Sequence, residues 1–183
     1  MIRGILARKP EGIETESYLP EIFYCYGEDE AAYAEILALS DPAKKRREYP
    51  EVSFALVGAV ATGLMGIEPD ARTRTISTRS RLTVDTPWAE LRNVPVFDGV
   101  VQVRHEGRRT TALAVLSGGS VEWRAVVEGR WDELSVDGVS RKALQGLDEA
   151  GRPVSWVTVR LAAGEKAVVA AGNGPARSVF NRP

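Results

Sequence analysis

The chain has 183 residues, of which 44% are hydrophobic and 27% charged, and its formal net charge is −1. This composition is typical of a soluble globular protein, and so small a net charge excludes long-range attraction to nucleic acid or to an anionic membrane. The single cysteine, Cys25, excludes an intrachain disulfide and fits a reducing compartment. The N-terminus lacks the long apolar stretch of a signal peptide. We therefore predict a cytoplasmic protein with one large domain, or with a small domain and an appendage.

The first part of the chain is predicted to be a short helical segment over residues 1–71. Residues 1–18 show no sustained periodicity and are predicted to be loop or short extended pieces. An aromatic-rich stretch, Tyr18–Gly27, holds one carboxylate, Glu21, among apolar neighbours. Acidic residues followed by apolar residues at helical spacing predict an amphipathic helix over Glu28–Ser40. A basic loop, residues 44–47, leads into the next element.

Residues Tyr49–Ile67 are predicted to form a helix that is apolar on every side. Pro50 suits the first helical position, and Glu51 places a negative charge at the positive end of the helix dipole. No further charge appears until Glu68. The run is shorter than the roughly 20 apolar residues that cross a bilayer, so we predict a buried helix and no membrane partner. Such a helix needs packing partners on all sides.

From residue 72 the pattern changes to alternation and turns, with the boundary predicted near residues 69–71. It predicts an antiparallel β-sandwich over residues 72–171, followed by a flexible tail over residues 172–183. Leu134–Val139 is predicted to be a hairpin, because Asp137-Gly138 suits a two-residue type I′ turn. The fold class is therefore predicted to be α+β. The other predicted strands lie at 73–82, 88–94, 101–105, 110–116, 121–127, 153–161 and 165–171.

The residues alone do not assemble a complete catalytic or metal site. His105 is the one histidine and lies on the apolar face of a predicted strand, where a hydrogen-bonded core histidine is roughly three times more common than a catalytic one. We expect no metal and no cofactor. The basic loop 44–47 is better interpreted as a solvated loop than as a nucleic-acid contact, because the chain carries no net positive charge. Glu21 stands out among the carboxylates, and a salt bridge is the competing interpretation of it.

Four segments together resemble part of a known protein family: Leu19-Pro20-Glu21-Ile22-Phe23, Gly27, the charged linker 46–49 and the apolar helix 51–67. In this order they resemble the end of the (α/α)6 catalytic barrel in glucoamylase-like glycoside hydrolases, debranching-type enzymes in particular, where the Pro-Glu pair lies in a loop. Residues 64–71 look like the junction at which such enzymes pass from the barrel into a C-terminal antiparallel sandwich.

The resemblance implies a role for several residues. Glu21 matches the general base that activates water in an inverting glycosidase, and Tyr18, Arg46 and Arg47 would lie at the substrate. The general acid of this group comes from much earlier in the barrel. The chain would therefore be the C-terminal fragment of a carbohydrate-processing glycoside hydrolase. It would be inactive alone, with its sandwich bracing the barrel and carbohydrate as the partner of the full-length parent.

Two other functions remain open. A carbohydrate-binding module is one, because tryptophans can stack on sugar faces, although a buried role competes for each of them. A protein-interaction module that uses the helix 49–67 is the other. Because the rest of the chain can cover only some sides of that helix, we predict a homo-oligomer through Tyr49–Ile67. The four tryptophans are Trp88, Trp123, Trp131 and Trp156.

Overall fold

The computed structural model describes Gly4, residues 12–44, residues 48–172 and Phe180. The chain divides into two compact units, Met1–Leu64 and Met65–Pro183. This division falls earlier in the chain than the predicted boundary near residues 69–71, because the strand Glu68–Asp70 already pairs within a sheet. Each unit is described separately below.

The first unit is helical in its described residues. The predicted helix 28–40 is confirmed as α3. A helical turn, α1, replaces the loop or extended structure predicted before residue 18, and Ser17 Oγ donates to the carbonyl oxygen of Glu14 to close it. The elements are α1 (Ile13–Glu16), α2 (Leu19–Cys25), α3 (Asp29–Ser40), a 3₁₀ turn (Pro42–Lys44), α4 (Pro50–Gly58) and a π-helical continuation of α4 (Ala59–Leu64).

The apolar helix begins at Pro50, as predicted, but it ends at Leu64 and is not buried on every side. Val52 is fully buried, whereas the side chains of Phe54 and Val57 are 76% and 67% exposed. An apolar run therefore reports correctly that a helix forms here. It does not report which of its faces this chain covers.

The second unit contains two sheets that share one hydrophobic core, as predicted for a sandwich. The first sheet has the order β1-β2-β6-β10-β9, and the second has the order β3-β4-β5-β11-β7-β8. Their strands are β1 (Glu68–Asp70), β2 (Thr75–Arg79), β3 (Trp88–Val96), β4 (Gly99–Glu106), β5 (Thr110–Ser117), β6 (Val121–Glu128), β7 (Glu133–Val136), β8 (Val139–Lys142), β9 (Leu144–Leu147), β10 (Pro153–Leu161) and β11 (Lys166–Ala170).

One pair of strands departs from the predicted antiparallel arrangement. β2 and β6 are parallel neighbours, with Ser77 opposite Arg124. The chain leaves the first sheet after β2, forms β3, β4 and β5 in the second sheet, and returns to the first sheet in the original direction. Strand spacing alone does not report such a crossover, because parallel strands need a long connection rather than a tight turn.

Alternation along β6 shows how the core is built. Val121, Trp123, Ala125 and Val127 are buried, and the residues between them face outward. The Trp123 side chain is fully buried, and its Nε1 donates to Thr78 Oγ1 at 2.8 Å. Burial of one large apolar side chain stabilises a fold by about 1.5–3 kcal/mol. The register of this strand is therefore strongly determined.

The predicted hairpin is confirmed. Asp137 and Gly138 both have positive φ, at 50° and 86°, as a type I′ turn requires. Two strands were not predicted: β1 is very short and contains Pro69, and Gly146 interrupts the pattern of β9. In the predicted tail, Phe180 packs against Ala112 and Val168, while residues 173–179 and 181–183 lie outside the described residues.

Two glycines of the apolar helix provide a matched test of the first unit. An added Cβ at Gly63 would overlap the Tyr24 ring, whereas one at Gly58 would meet open space. We expect Gly63→Ala to lower the free energy of unfolding by about 1–3 kcal/mol through overpacking. Gly58→Ala should leave it unchanged or raise it by about 0.5–1 kcal/mol, because alanine favours the helix. Urea unfolding followed by helical circular dichroism measures both, and equal losses would contradict the packing of Gly63 on Tyr24.

Candidate functional site

The predicted catalytic residue, Glu21, lies on the exposed side of α2 rather than in the loop that the resemblance implies. Pro20 occupies the start of this helix, and Leu19 and Phe23 are buried on its other side. Tyr18 caps the same helix and is 55% exposed. The structure thus brings Tyr18 and Glu21 to one short helix, while Arg46 and Arg47 lie outside the described residues.

Two other carboxylates of the first unit are buried, and the sequence analysis did not single them out. Asp29 and Glu35, both on α3, are 3% and 5% exposed. Each makes a polar interaction, so a stabilising role accounts for their burial. Their position on the apolar face of a predicted helix could have identified them.

The tryptophans leave little open aromatic surface for a sugar. Trp123 is in the core, and the guanidinium of Arg124 stacks on the Trp156 ring at 4.1 Å from its centroid. Trp131 donates from Nε1 to the carbonyl oxygen of Glu128 at 2.8 Å. Trp88 is 46% exposed, and the guanidinium of Arg104 lies 4.5 Å from the centroid of its ring. Most of these rings are therefore already in contact with protein.

His105 is a core histidine, as predicted. It is fully buried, with Nε2 2.9 Å from the carbonyl oxygen of Met65 and Nδ1 2.8 Å from Thr111 Oγ1. Because a carbonyl only accepts, Nε2 carries the proton and Nδ1 accepts from the threonine hydroxyl. Burial lowers the pKa of His105 to about 4. The side chain is therefore neutral at pH 7 and stabilises the start of the second unit.

The candidate binding site of the second unit is a pocket of about 100 Å³ on the outer face of the first sheet. We call it the arginine pocket. β2 contributes Arg79, β6 contributes Arg124, and Arg81 follows β2 in the chain. Its remaining lining residues are Gly66, Glu68, Ser77, Val126, Leu147, Asp148, Glu149 and Val154.

A buried ion pair forms one wall of the arginine pocket. Arg79 Nη1 donates to Asp148 Oδ2 at 2.6 Å, and the two side chains are 6% and 4% exposed. Arg152 donates to the same carboxylate from its backbone N–H at 2.7 Å and from Nε at 2.9 Å. Burial alone would raise the pKa of Asp148, but the hydrogen bonds from Arg79 and Arg152 outweigh it and leave the pKa at about 2. Asp148 is therefore ionised at pH 7.

The arginine pocket was not predicted from the sequence, because its residues come from distant segments. Arg79 and Asp148 are 69 positions apart. The only sequence signal is an arginine at an outward position of each of two strands, which usually marks a solvated face. Within the described residues, no three histidine, cysteine or carboxylate side chains gather as a metal site, and no helix has the length and apolarity to cross a membrane.

Comparison with known proteins adds little. No family model matches the chain, and no curated protein matches it. Among solved structures, the chain is similar to Ara127N, described as a GH127 β-L-arabinofuranosidase from Geobacillus stearothermophilus T6, with 12% identity and a TM-score of 0.37. The match covers 65% of this chain and 18% of that chain, so it spans less than one fifth of the neighbour's length. A likeness this distant shows neither a shared fold nor a shared activity.

The buried histidine makes stability depend on pH. The unfolded chain binds a proton at His105 near pH 6.5, whereas the folded chain does so only near pH 4. The contribution of neutral His105 to the free energy of unfolding is therefore fully present above pH 6.5, and it is lost as the pH is lowered toward 4. We expect a loss of about 2 kcal/mol between pH 7 and pH 5, measured by urea unfolding.

The matched control is His105→Gln, which removes the only histidine of the chain. This variant should be less stable at pH 7 and should lose less stability between pH 7 and pH 5 than the wild type does. Equal losses in the two proteins would show that His105 does not carry the effect.

Proposed function

We propose that the chain corresponds to the C-terminal part of a carbohydrate-processing glycoside hydrolase. It would carry the last helices of an (α/α)6 barrel and the sandwich that braces that barrel, and it would be inactive alone. The observation that carries the proposal is the order of motifs. Leu19-Pro20-Glu21, the apolar helix 51–67 and the junction 64–71 follow one another as they do in glucoamylase-like enzymes. A helical unit followed by a sandwich agrees with this order.

The proposed role of Glu21 is that of the general base of an inverting reaction. It would accept a proton from water as that water attacks the sugar, while a general acid protonates the leaving oxygen. The two carboxyl groups of such a pair lie about 6.5–9.5 Å apart. Tyr18, Arg46 and Arg47 are proposed substrate contacts, and the acid is proposed to come from earlier helices of the barrel. A cytoplasmic location remains part of this proposal.

The exposed face of α4 supports the same proposal. Phe54 and Val57 lie one helical turn apart, and both are more than half exposed. Neighbouring barrel helices in a full-length parent would cover this face. Burial of apolar surface contributes about 25 cal/mol per Å², so covering this face would favour association of α4 with a partner.

A protein-interaction module is the second candidate, and it draws on that same exposed face. An uncovered apolar stripe on a helix is suited to a partner or to a second copy of the chain. The carbohydrate-binding alternative is less favoured, because all four tryptophans already have their rings or indole N–H groups engaged by protein groups.

The proposal is tested by sequencing the coding DNA upstream of Met1 and by assaying both the isolated chain and any longer parent protein. We expect a continuous upstream frame that encodes a barrel. The parent should hydrolyse maltooligosaccharides or aryl glycosides, and the isolated chain should not. In the parent, Glu21→Gln should lower kcat by roughly 10²–10⁴-fold, the usual contribution of a general base.

Glu51→Gln in the parent is the matched control, because Glu51 begins a helix and should affect kcat little. Equal losses from both substitutions would remove the reason for choosing Glu21. Turnover by the isolated chain that Glu21→Gln abolishes would overturn the proposal that the chain is inactive alone.

Self-association through α4 gives a separate prediction. We expect the isolated chain to form a dimer or larger assembly at micromolar concentration, measured by light scattering. Phe54→Lys combined with Val57→Lys should restore the monomer, since charged residues on that face prevent its burial. Val139→Lys, which changes an equally exposed apolar residue of the sandwich, should leave the mass unchanged. A monomeric wild-type chain would contradict the prediction.

A further inference from the structure

Deeply buried arginines line the arginine pocket on the outer face of the first sheet. Arg79 is 5% exposed and Arg81 is 6% exposed, and both line the arginine pocket. Arginine is rarely so deeply buried unless its donors are satisfied. The pairing of these donors therefore indicates what else the pocket is suited to hold.

Arg79 has only part of its guanidinium engaged. Its Nη1 donates to Asp148, but its Nε and Nη2 are buried and have no hydrogen-bond partner among the described residues. Arg124 Nε is likewise buried without a hydrogen-bond partner among the described residues. Burying a charged donor without an acceptor costs free energy. The Arg79–Asp148 ion pair accounts for the burial of Nη1 but not for the burial of Nε and Nη2.

The negative charges nearby do not neutralise the interior of the pocket. Asp148 is the one buried carboxylate among the lining residues, and Arg79 and Arg152 share it. Glu149 lies at the rim with its side chain 69% exposed, 4.0 Å from Arg81. Glu68 is also exposed. Water screens both rim carboxylates, whereas the buried guanidinium groups are screened much less.

Arg124 is held in a defined orientation. Its guanidinium lies 4.1 Å from the centroid of Trp156, which is a cation–π contact. Because stacking uses the flat face of the group, the N–H edges remain directed within its plane. Ser77, which lies opposite Arg124 in the sheet, also lines the pocket and supplies a hydroxyl.

From these observations we infer that the arginine pocket binds the oxyanion group of a small ligand, either a carboxylate or a phosphate. Guanidinium groups bind both with paired, charge-assisted hydrogen bonds. A volume of about 100 Å³ has room for one such group and a few neighbouring atoms. The site lies wholly within the second unit and does not depend on the proposed glycosidase function.

Titration at constant ionic strength tests the inference on the full chain. The probes are glucuronate, glucose 6-phosphate and glucose, which present a carboxylate, a phosphate and no charge on similar rings. Binding is followed by heteronuclear NMR of the backbone amides of Gly66, Ser77 and Leu147, which line the pocket. We expect saturable shifts at these amides with at least one anionic probe and none with glucose. Binding of glucuronate would identify a carboxylate as the ligand group, and binding of glucose 6-phosphate would identify a phosphate.

The deciding variant is Arg124→Gln, which removes a pocket charge and leaves the Arg79–Asp148 pair intact. It should weaken anion binding roughly tenfold or more, the effect of one lost charge-assisted hydrogen bond. Arg141→Gln removes an exposed charge from β8 in the second sheet and should change nothing. Arg79→Lys, which keeps the charge but not the fork of donors, should also weaken binding.

Three results would overturn the inference. One is the absence of saturable binding by both anionic probes. Another is binding of glucose as tight as that of the anions. The third is unchanged anion binding in Arg124→Gln, a variant that can be judged even if Arg79→Lys fails to fold.

Discussion

The burial of Trp123 in the middle of β6 is the constraint on which the second unit depends. This strand pairs with β2 on one side and with β10 on the other, so its register determines which residues of three strands face the core. A shift of one residue would expose Trp123 and bury Arg124. The hydrogen bond from Trp123 to Thr78 satisfies the one polar group of the indole in that position. Core packing and the outward position of the arginines therefore have a single cause.

The buried polar groups of the second unit differ in how completely their hydrogen bonds are satisfied. His105 faces the core, where both ring nitrogens are hydrogen-bonded within the unit, so it stabilises the fold and has no capacity left for a ligand. Arg79 lies on the outer face of the first sheet, and only part of its guanidinium is hydrogen-bonded. A buried group whose hydrogen bonds are satisfied has a structural explanation, whereas an unsatisfied one calls for a further explanation.

The two units support different kinds of chemistry. In the first unit the candidate base, Glu21, lies exposed on a short helix, and its proposed catalytic role would require a general acid as a second carboxyl group. In the second unit the arginine pocket is assembled from the chain's own strands and from the loop that holds Asp148. The proposed catalytic function would depend on a larger parent protein, whereas the proposed anion binding would rest on residues of the second unit alone.

Local pattern was sufficient for much of the fold. The alternation of Val121–Glu128 predicts its strand, because side chains of a strand point to opposite faces in turn. Asp137-Gly138 predicts its turn, because both positions require positive φ. Pro50 marks the start of α4 for a similarly local reason. The expectation of a core histidine at 105 followed from the alternation of its strand.

The sequence by itself therefore determined most of the helices, strands and turns, with α1, α2, β1 and β9 as exceptions, since these preferences act over a few neighbouring residues. Only the tertiary structure decided that β2 and β6 are parallel, that Glu21 lies on a helix, and that Phe54 and Val57 are uncovered. It alone brought Arg79 to Asp148. Such meetings depend on packing between segments that are far apart in the chain, and no local preference of either segment encodes its partner.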